Sequence, residues 1–284
     1  MAGPRRRRNP PLSMDRYAVI GNPISHSLSP RIHARFAEQL ADPVEYSAML
    51  APLDGFAAVA RAFLEGGGRG ANVTLPFKLE AFALADVASE RARQAGAANF
   101  LALREGRIEA DNTDGAGLVA DLARNLRVDL HGARILLVGA GGAARGVVVP
   151  LLAERPARLV IANRDAARAR ALAARFAAHG PVQGSALGAI PAGGFDLVVN
   201  ATSASTKGEP LVLAEAAWRG APLAYDMAYG PAAEPFLAAA RARGARAADG
   251  LGMLVEQAAE SWFLWRGRRP ATGEVLAALR AGAA

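Results

Sequence analysis

The segment Ile135–Val138 runs directly into Gly139-Ala140-Gly141-Gly142-Ala143-Ala144, and no other part of the chain restricts its fold as much. An apolar strand ending in G-x-G-x-x-A has a physical reading. The first glycine permits a tight turn, and the second lets the backbone approach a pyrophosphate. The third small residue lets the following helix pack on the strand, with the phosphate over the helix N-terminus. In an alanine-rich chain the motif alone is weak, and its surroundings supply the missing weight. Further strands are predicted at Leu159–Ala162, Leu197–Val199 and Leu223–Met227, separated by alanine-rich helices. Strands and helices alternating at this length imply a parallel sheet covered on both faces, so a Rossmann-type, doubly wound dinucleotide-binding unit is expected.

The end of the second strand indicates which dinucleotide. An NAD site places an acid there, whereas this chain has Asn163 and Arg164, with Arg168 one helical turn on. Guanidinium groups form charge-assisted, forked bonds to phosphate, which suits the 2′-phosphate of NADP better than NAD. Asp165 is the complication. On a helix its side chain would diverge by about 100° from its neighbours, so it is expected to point away from the phosphate.

Upstream, strands are predicted at Arg16–Ile20, Val44–Met49 and Ala71–Thr74, with a flexible break at Gly66–Gly70. Helices follow Ser29-Pro30, with Ile32, Phe36 and Leu40 on one face, and Asp54, with Phe56, Val59 and Phe63. A hairpin over Asn99–Arg104 and Arg107–Ala110 turns at Glu105-Gly106. A helix from Asn112 to Asn125, capped by Thr113 or Asp114, leads into the glycine-loop unit. After Gly250 the chain reads as helical, with Leu254, Ala258, Trp262 and Trp265 as packing residues. The expected organisation is an α/β fold of two lobes: a disordered basic tail (1–13), a substrate-binding and catalytic lobe (14–113), a dinucleotide-binding domain (114–250), and C-terminal helices (251–284) returning to the first lobe.

Composition removes other classes. The absence of cysteine excludes disulfides, thiolate metal sites and a cysteine nucleophile. The four histidines form no metal-ligand spacing, so no metal is expected. Apolar runs fall short of the ~20 residues that cross a bilayer, and the N-terminus lacks a signal-peptide core. Arg5 to Arg8 account for more than half of the net charge of +7, and Met14 offers an alternative start. No basic stripe interleaved with aromatics follows. A cytoplasmic enzyme without nucleic-acid or membrane partners is expected.

Four stretches are too polar for their apolar surroundings: Gly21–Pro30 with Ser25, His26 and Ser27, Asn72–Lys78, Gly96–Asn99, and Asp111–Gly115. They offer hydroxyls, amides, an ammonium and a carboxylate, which suits a polyhydroxylated acid. With Asn200–Ser203, Tyr225–Tyr229, Pro235–Leu237 and Asp249–Gln257, these motifs stand in an order that resembles the shikimate dehydrogenases, from about Tyr17 to Leu276. The resemblance implies reversible NADP-linked reduction of 3-dehydroshikimate to shikimate, a step of chorismate and aromatic amino-acid biosynthesis. It implies Lys78 and Asp114 as the catalytic pair, with Lys78 donating a proton and Asp114 orienting it. Ser25 and Ser27 would hold the substrate carboxylate beside Tyr229, and Thr74, Asn99, Asp114 and Gln257 the ring hydroxyls. Gly139, Ala140, Gly141, Gly142 and Ala143 would carry the pyrophosphate, and Asn163, Arg164 and Arg168 the adenosine phosphate. Thr202, Met227, Gly250 and Met253 would line the rest of the cofactor site. It is compatible with a homodimer. Phe100, Asp165 and Glu234 stand where the family usually has threonine, and Asp165 bears most on cofactor choice. The nearest alternative is a quinate/shikimate dehydrogenase using NAD or NADP. A ligand sensor without catalysis is the alternative from another class, and it would have no use for the Lys78–Asp114 pair.

Overall fold

The computed structural model describes residues 14–282. The basic tail expected over 1–13 lies outside the described residues. Two six-stranded sheets form the framework. The first holds β1 (Asp15–Gly21), β2 (Val44–Leu50), β3 (Gly68–Val73), β4 (Val87–Ala88), β5 (Phe100–Arg104) and β6 (Arg107–Asp111), in the order β2-β1-β3-β5-β6-β4. β1, β2 and β3 are parallel, whereas β5 runs antiparallel to both β3 and β6. Because β5 reverses, its beginning lies beside the ends of β3 and β6: the Val73 N–H donates to Asn99 O (2.8 Å) and the Asn99 N–H to Asp111 O (3.1 Å). One sheet edge therefore collects all four polar stretches, because they end β1, end β3, precede β5 and end β6.

The second sheet holds β7 (Arg134–Val138), β8 (Arg158–Asn163), β9 (Val182–Ala186), β10 (Leu197–Asn200), β11 (Leu223–Asp226) and β12 (Arg246–Asp249), all parallel, in the order β12-β11-β10-β7-β8-β9. The chain runs from β7 outward to β9 and then returns to the other side of β7, which makes the β7/β10 boundary the switch point where such sheets take ligands. Helices α6 (Gly142–Ala153) and α7 (Ala166–Phe176) help bury one face, with Ile135, Leu137 and Val147 fully enclosed. On the other face Leu136, Val198 and Phe195 are buried, with Trp218 and Phe236 closing that core.

In the first lobe, α1 (Ser29–Leu40) and α2 (Phe56–Glu65) bury the apolar faces read from sequence, including Ile32, Phe36, Phe56 and Phe63. Gly66–Gly70 is not a flexible break, because β3 begins at Gly68. A side chain at Gly68 would strike the Phe63 ring, and one at Gly70 the Trp265 indole, so these glycines serve close packing. The structure adds two short helices absent from the sequence reading, α3 (Lys78–Leu84) and α4 (Glu90–Ala95). The crossover helix α5 spans Asp114–Ala120 and continues as a π-helical turn, Asp121–Asn125. Thr113 stands at its N-cap position but makes no side-chain cap bond; its hydroxyl faces Asn99 and Gln257 instead. After a four-residue helix, α8 (Ala204–Lys207), and α9 (Glu234–Arg241), the long helix α10 (Leu251–Arg266) returns to the first lobe. There Val255 and Trp262 pack with Ile32 and Phe36, and Trp265 stacks on Phe100. A last helix, α11 (Gly273–Arg280), adds Val275 and Leu276 to that cluster. No helix among the described residues is long and apolar enough to cross a membrane.

Candidate active site

Lys78 opens α3 and Asp114 opens α5, and the turns before both helices leave the same sheet edge. Lys78 Nζ donates to Asp114 Oδ2 at 2.5 Å, with side chains 14% and 6% exposed. The other carboxylate oxygen accepts from Asn99 Nδ2 (2.8 Å), which also donates to Thr113 Oγ1 (2.9 Å) and approaches Gln257 Oε1 (3.2 Å). Asn99 Oδ1 accepts the Thr113 N–H (2.7 Å). A largely buried ammonium thus faces a carboxylate whose orientation is fixed from two sides.

A second set of polar groups holds this arrangement, and sequence reasoning did not assign them. Asn72 Nδ2 donates to Ser261 Oγ (2.9 Å) and to Asn99 O (3.2 Å), while Tyr46 donates to Asn72 Oδ1 (2.8 Å). Asn112 donates to Ala97 O and accepts the Asp114 N–H. Asn72 and Asn112 lay inside quoted motifs, but their neighbours drew the functional reading. Ser261 carried one usable signal: it is four residues after Gln257 on a helix, hence on the same face.

The serines lie in the loop between β1 and α1. Ser25 is exposed, and Ser27 Oγ accepts the Ser29 N–H. Thr74 lies alongside, because a side chain at Gly21 would meet its methyl group. Burial pushes the ionisation of Tyr229 up, against the smaller opposing effect of the nearby Leu28 N–H. Among the histidines, His26 is exposed in this loop, whereas His33 is fully buried, stacked on Tyr46, and pushed down to about 3 by burial.

The cofactor candidates gather at the carboxyl edge of the second sheet. Asn163 ends β8, and Gly139, Thr202, Met227 and Gly250 follow the ends of β7, β10, β11 and β12. Gly139 has φ +118, a left-handed conformation that favours glycine, and a side chain there would press on Ala201 and Thr202. A side chain at Gly141 would meet nothing within 4 Å, so the space above the N-terminus of α6 is open, and no side chain caps that helix. These features fit a pyrophosphate held by backbone N–H groups. Ala140 and Ala143 are partly buried in the same turn, and Met253 is buried on α10 beneath the cleft. The two sheet edges face each other: a side chain at Gly142 would lie 3.8 Å from Lys78 Cβ.

Asp165 departs from expectation. It is not within α7 but is its N-cap, accepting from the Ala167 and Arg168 N–H groups. Its other oxygen lies 3.4 Å from Arg168 Nε, so it turns toward Arg168 rather than away. The 100° spacing of helical side chains does not apply to a capping residue. Arg164 is exposed and makes no ion pair among the described residues.

A glycine-loop dinucleotide domain closing on a polar lobe that carries a lysine–aspartate pair defines a two-lobed α/β oxidoreductase. Family models match in sequence order: the shikimate dehydrogenase substrate binding domain over residues 19–101, shikimate / quinate 5-dehydrogenase over 121–218, and the shikimate 5′-dehydrogenase C-terminal domain over 250–280. The chain is 57% identical over 273 residues to the shikimate dehydrogenase (NADP(+)) of Aromatoleum aromaticum, covering 95% of this chain and 98% of that one. It is 56% identical over 268 residues to its namesake in Dechloromonas aromatica, covering 94% and 98%. Among solved structures, an Ael1 enzyme from Pseudomonas putida aligns with TM-score 0.87 at 50% identity, covering 93% and 98%. Shikimate 5-dehydrogenase from Thermus thermophilus, solved with NADP(H) and shikimate, aligns with TM-score 0.81 at 33% identity, covering 94% and 99%. The chain belongs to the shikimate dehydrogenase family.

Proposed function

We propose that this protein catalyses the reversible NADPH-dependent reduction of 3-dehydroshikimate to shikimate, as a cytoplasmic enzyme of aromatic biosynthesis. The observation that carries the reading is the Lys78–Asp114 pair, held by Asn99 and facing the glycine loop. Bound NADPH supplies a hydride to the carbonyl carbon. The carbonyl oxygen would then gain negative charge, and Lys78 Nζ, held by Asp114, would give this oxygen its proton. Positive charge aimed where negative charge develops lowers the barrier, more so in a site shielded from water. Asp114 fixes Nζ and offers its carboxylate to a neighbouring ring hydroxyl, with Asn99 and Gln257 as further partners. Ser25, Ser27, Thr74 and Tyr229 form the rim for the substrate carboxylate and a ring hydroxyl. Arg164 and Arg168 are the candidate partners of the 2′-phosphate, and the NADP(+) in the relatives' names supports that choice. The reading extends to a homodimer, which light scattering of the purified protein would test.

The test is initial-rate oxidation of shikimate and of quinate, each with NADP and with NAD. Shikimate with NADP should turn over fastest. Equal use of quinate would favour the broader dehydrogenase, and shikimate binding without turnover would favour a sensor.

A further inference from the structure

The π-helical turn that ends α5 is built around a buried carboxylate with no part in the chemistry above. The Leu126 N–H donates to Asp121 O (2.9 Å), five residues back, which widens the helix at this point. The Asp121 side chain is fully buried, accepting from Tyr225 Oη (2.7 Å) and Asn125 Nδ2 (2.9 Å). Burial raises its ionisation against these two hydrogen bonds. Tyr225, also fully buried, is on β11, two residues before Met227, and its hydroxyl faces the Met253 N–H. Helix α10 completes the junction: a side chain at Gly252 would collide with the Asp121 carboxylate, and one at Gly117 with Gln257.

Three elements therefore meet at one phenol–carboxylate bond. Helix α5 carries Asp114 at its other end. Strand β11 leads to Met227, and α10 carries both Met253 and Gln257. Buried groups of this kind cost stability unless satisfied, so the bond strongly favours one arrangement of the three elements. We infer that Asp121 and Tyr225 are a positioning pair, which fixes the substrate-side groups Asp114 and Gln257 relative to the cofactor-side residues Met227 and Met253. Neither touches substrate or cofactor. The pair acts by setting the distance over which hydride is transferred, to which rates are steeply sensitive.

The inference rests on the reaction proposed above, so wild-type reduction of 3-dehydroshikimate is measured first. Absence of that activity would overturn the reaction, and the hydrogen-exchange arm below would still decide the pair. Tyr225→Phe keeps the ring and removes the bond. Its kcat should fall roughly 10-fold or more, with both KM values within about two-fold. The deuterium isotope effect on kcat, measured with NADPH labelled at the transferred position, should rise as hydride transfer becomes more rate-limiting. Asp121→Asn keeps an acceptor for the phenol and should retain most of the wild-type rate. In the cofactor-free Tyr225→Phe protein, amide exchange should quicken in peptides spanning 114–121 and 251–257 and stay unchanged in β1. Should Tyr225→Phe fail to fold, Asn125→Ala loosens Asp121 from a less buried side and should move the isotope effect the same way. A wild-type isotope effect in the folded variant, or exchange accelerated evenly along the chain, would overturn the inference.

Discussion

At the end of β8, Asp165 caps α7 and pairs with Arg168, while Arg164 makes no ion pair among the described residues. The side chains of Asp165 and Arg168 are 52% and 78% exposed, and exposed pairs contribute only about 0.2–1 kcal/mol. Asp165→Thr can keep the cap and removes the charge, so it should raise the preference for NADP over NAD by no more than about five-fold. Arg164→Ala should lower kcat/KM for NADP at least about ten-fold, from a charge-assisted bond of about 1.5–3 kcal/mol, with little effect on NAD. Steady-state kinetics with both cofactors checks both variants, and an equal loss for NADP and NAD would remove Arg164 from the phosphate site. At the opposite rim, Ser25→Ala should weaken shikimate binding by roughly 10- to 100-fold and leave NADP binding alone, as titration calorimetry would register. At this scale Lys78, Asp114 and Asn99 were singled out by the family resemblance rather than by residue type, and the structure brings the three together. Thr113 and Ser261 were not: a hydroxyl before a helix reads as a cap, and Ser261, between Glu260 and Trp262, stands in no motif, until the fold shows what they face.

Among the elements, long or strongly patterned segments such as α1, α2, β7 and β8 were readable from apolar spacing alone. β9 and β12 were not, and their position explains it. They are the two edges of the second sheet, each with one neighbour, so Val-Gln-Gly-Ser-Ala and Arg-Ala-Ala-Asp suffice without a buried apolar run. A separate tie, also invisible in sequence, joins α4 and β6 to α10. Arg91 forks onto Asp111 (2.7 and 3.0 Å) and reaches Glu260 (2.9 Å), while Arg269 joins Glu260 and Glu256. Burial pushes the Asp111 carboxyl up, but the bonds from Arg91 and Ser89 outweigh it and hold it below the usual 3.8. A carboxyl lowered by folding stabilises above its unfolded value and loses that contribution as pH falls toward its folded one. Wild-type stability should therefore drop below about pH 4 more steeply than that of Arg91→Met. Arg91→Met should also cost about 1–3 kcal/mol at neutral pH, between an exposed and a buried pair. Urea unfolding across pH reads both, and identical pH profiles would count against the tie.

For the molecule as a whole, the account rests on two sheet edges facing each other across a cleft. The first supplies Lys78, Asp114 and Asn99, and the second an open glycine turn at the switch point. The presence of both units could be read from motifs. Their meeting was expected in outline, from a crossover helix and C-terminal helices returning to the first lobe, but not the close approach of α5 and α10, which depends on glycines at 115, 117 and 252. The central claim is that this cleft moves a proton through Lys78 while hydride crosses from the facing lobe. The most direct measurement is the steady-state reduction of 3-dehydroshikimate by NADPH in folded Lys78→Met, which keeps an unbranched side chain as far as Cε and removes the ammonium. The account predicts a kcat lowered by about 10²–10⁴-fold with a much smaller change in substrate KM. A kcat close to wild type would contradict it.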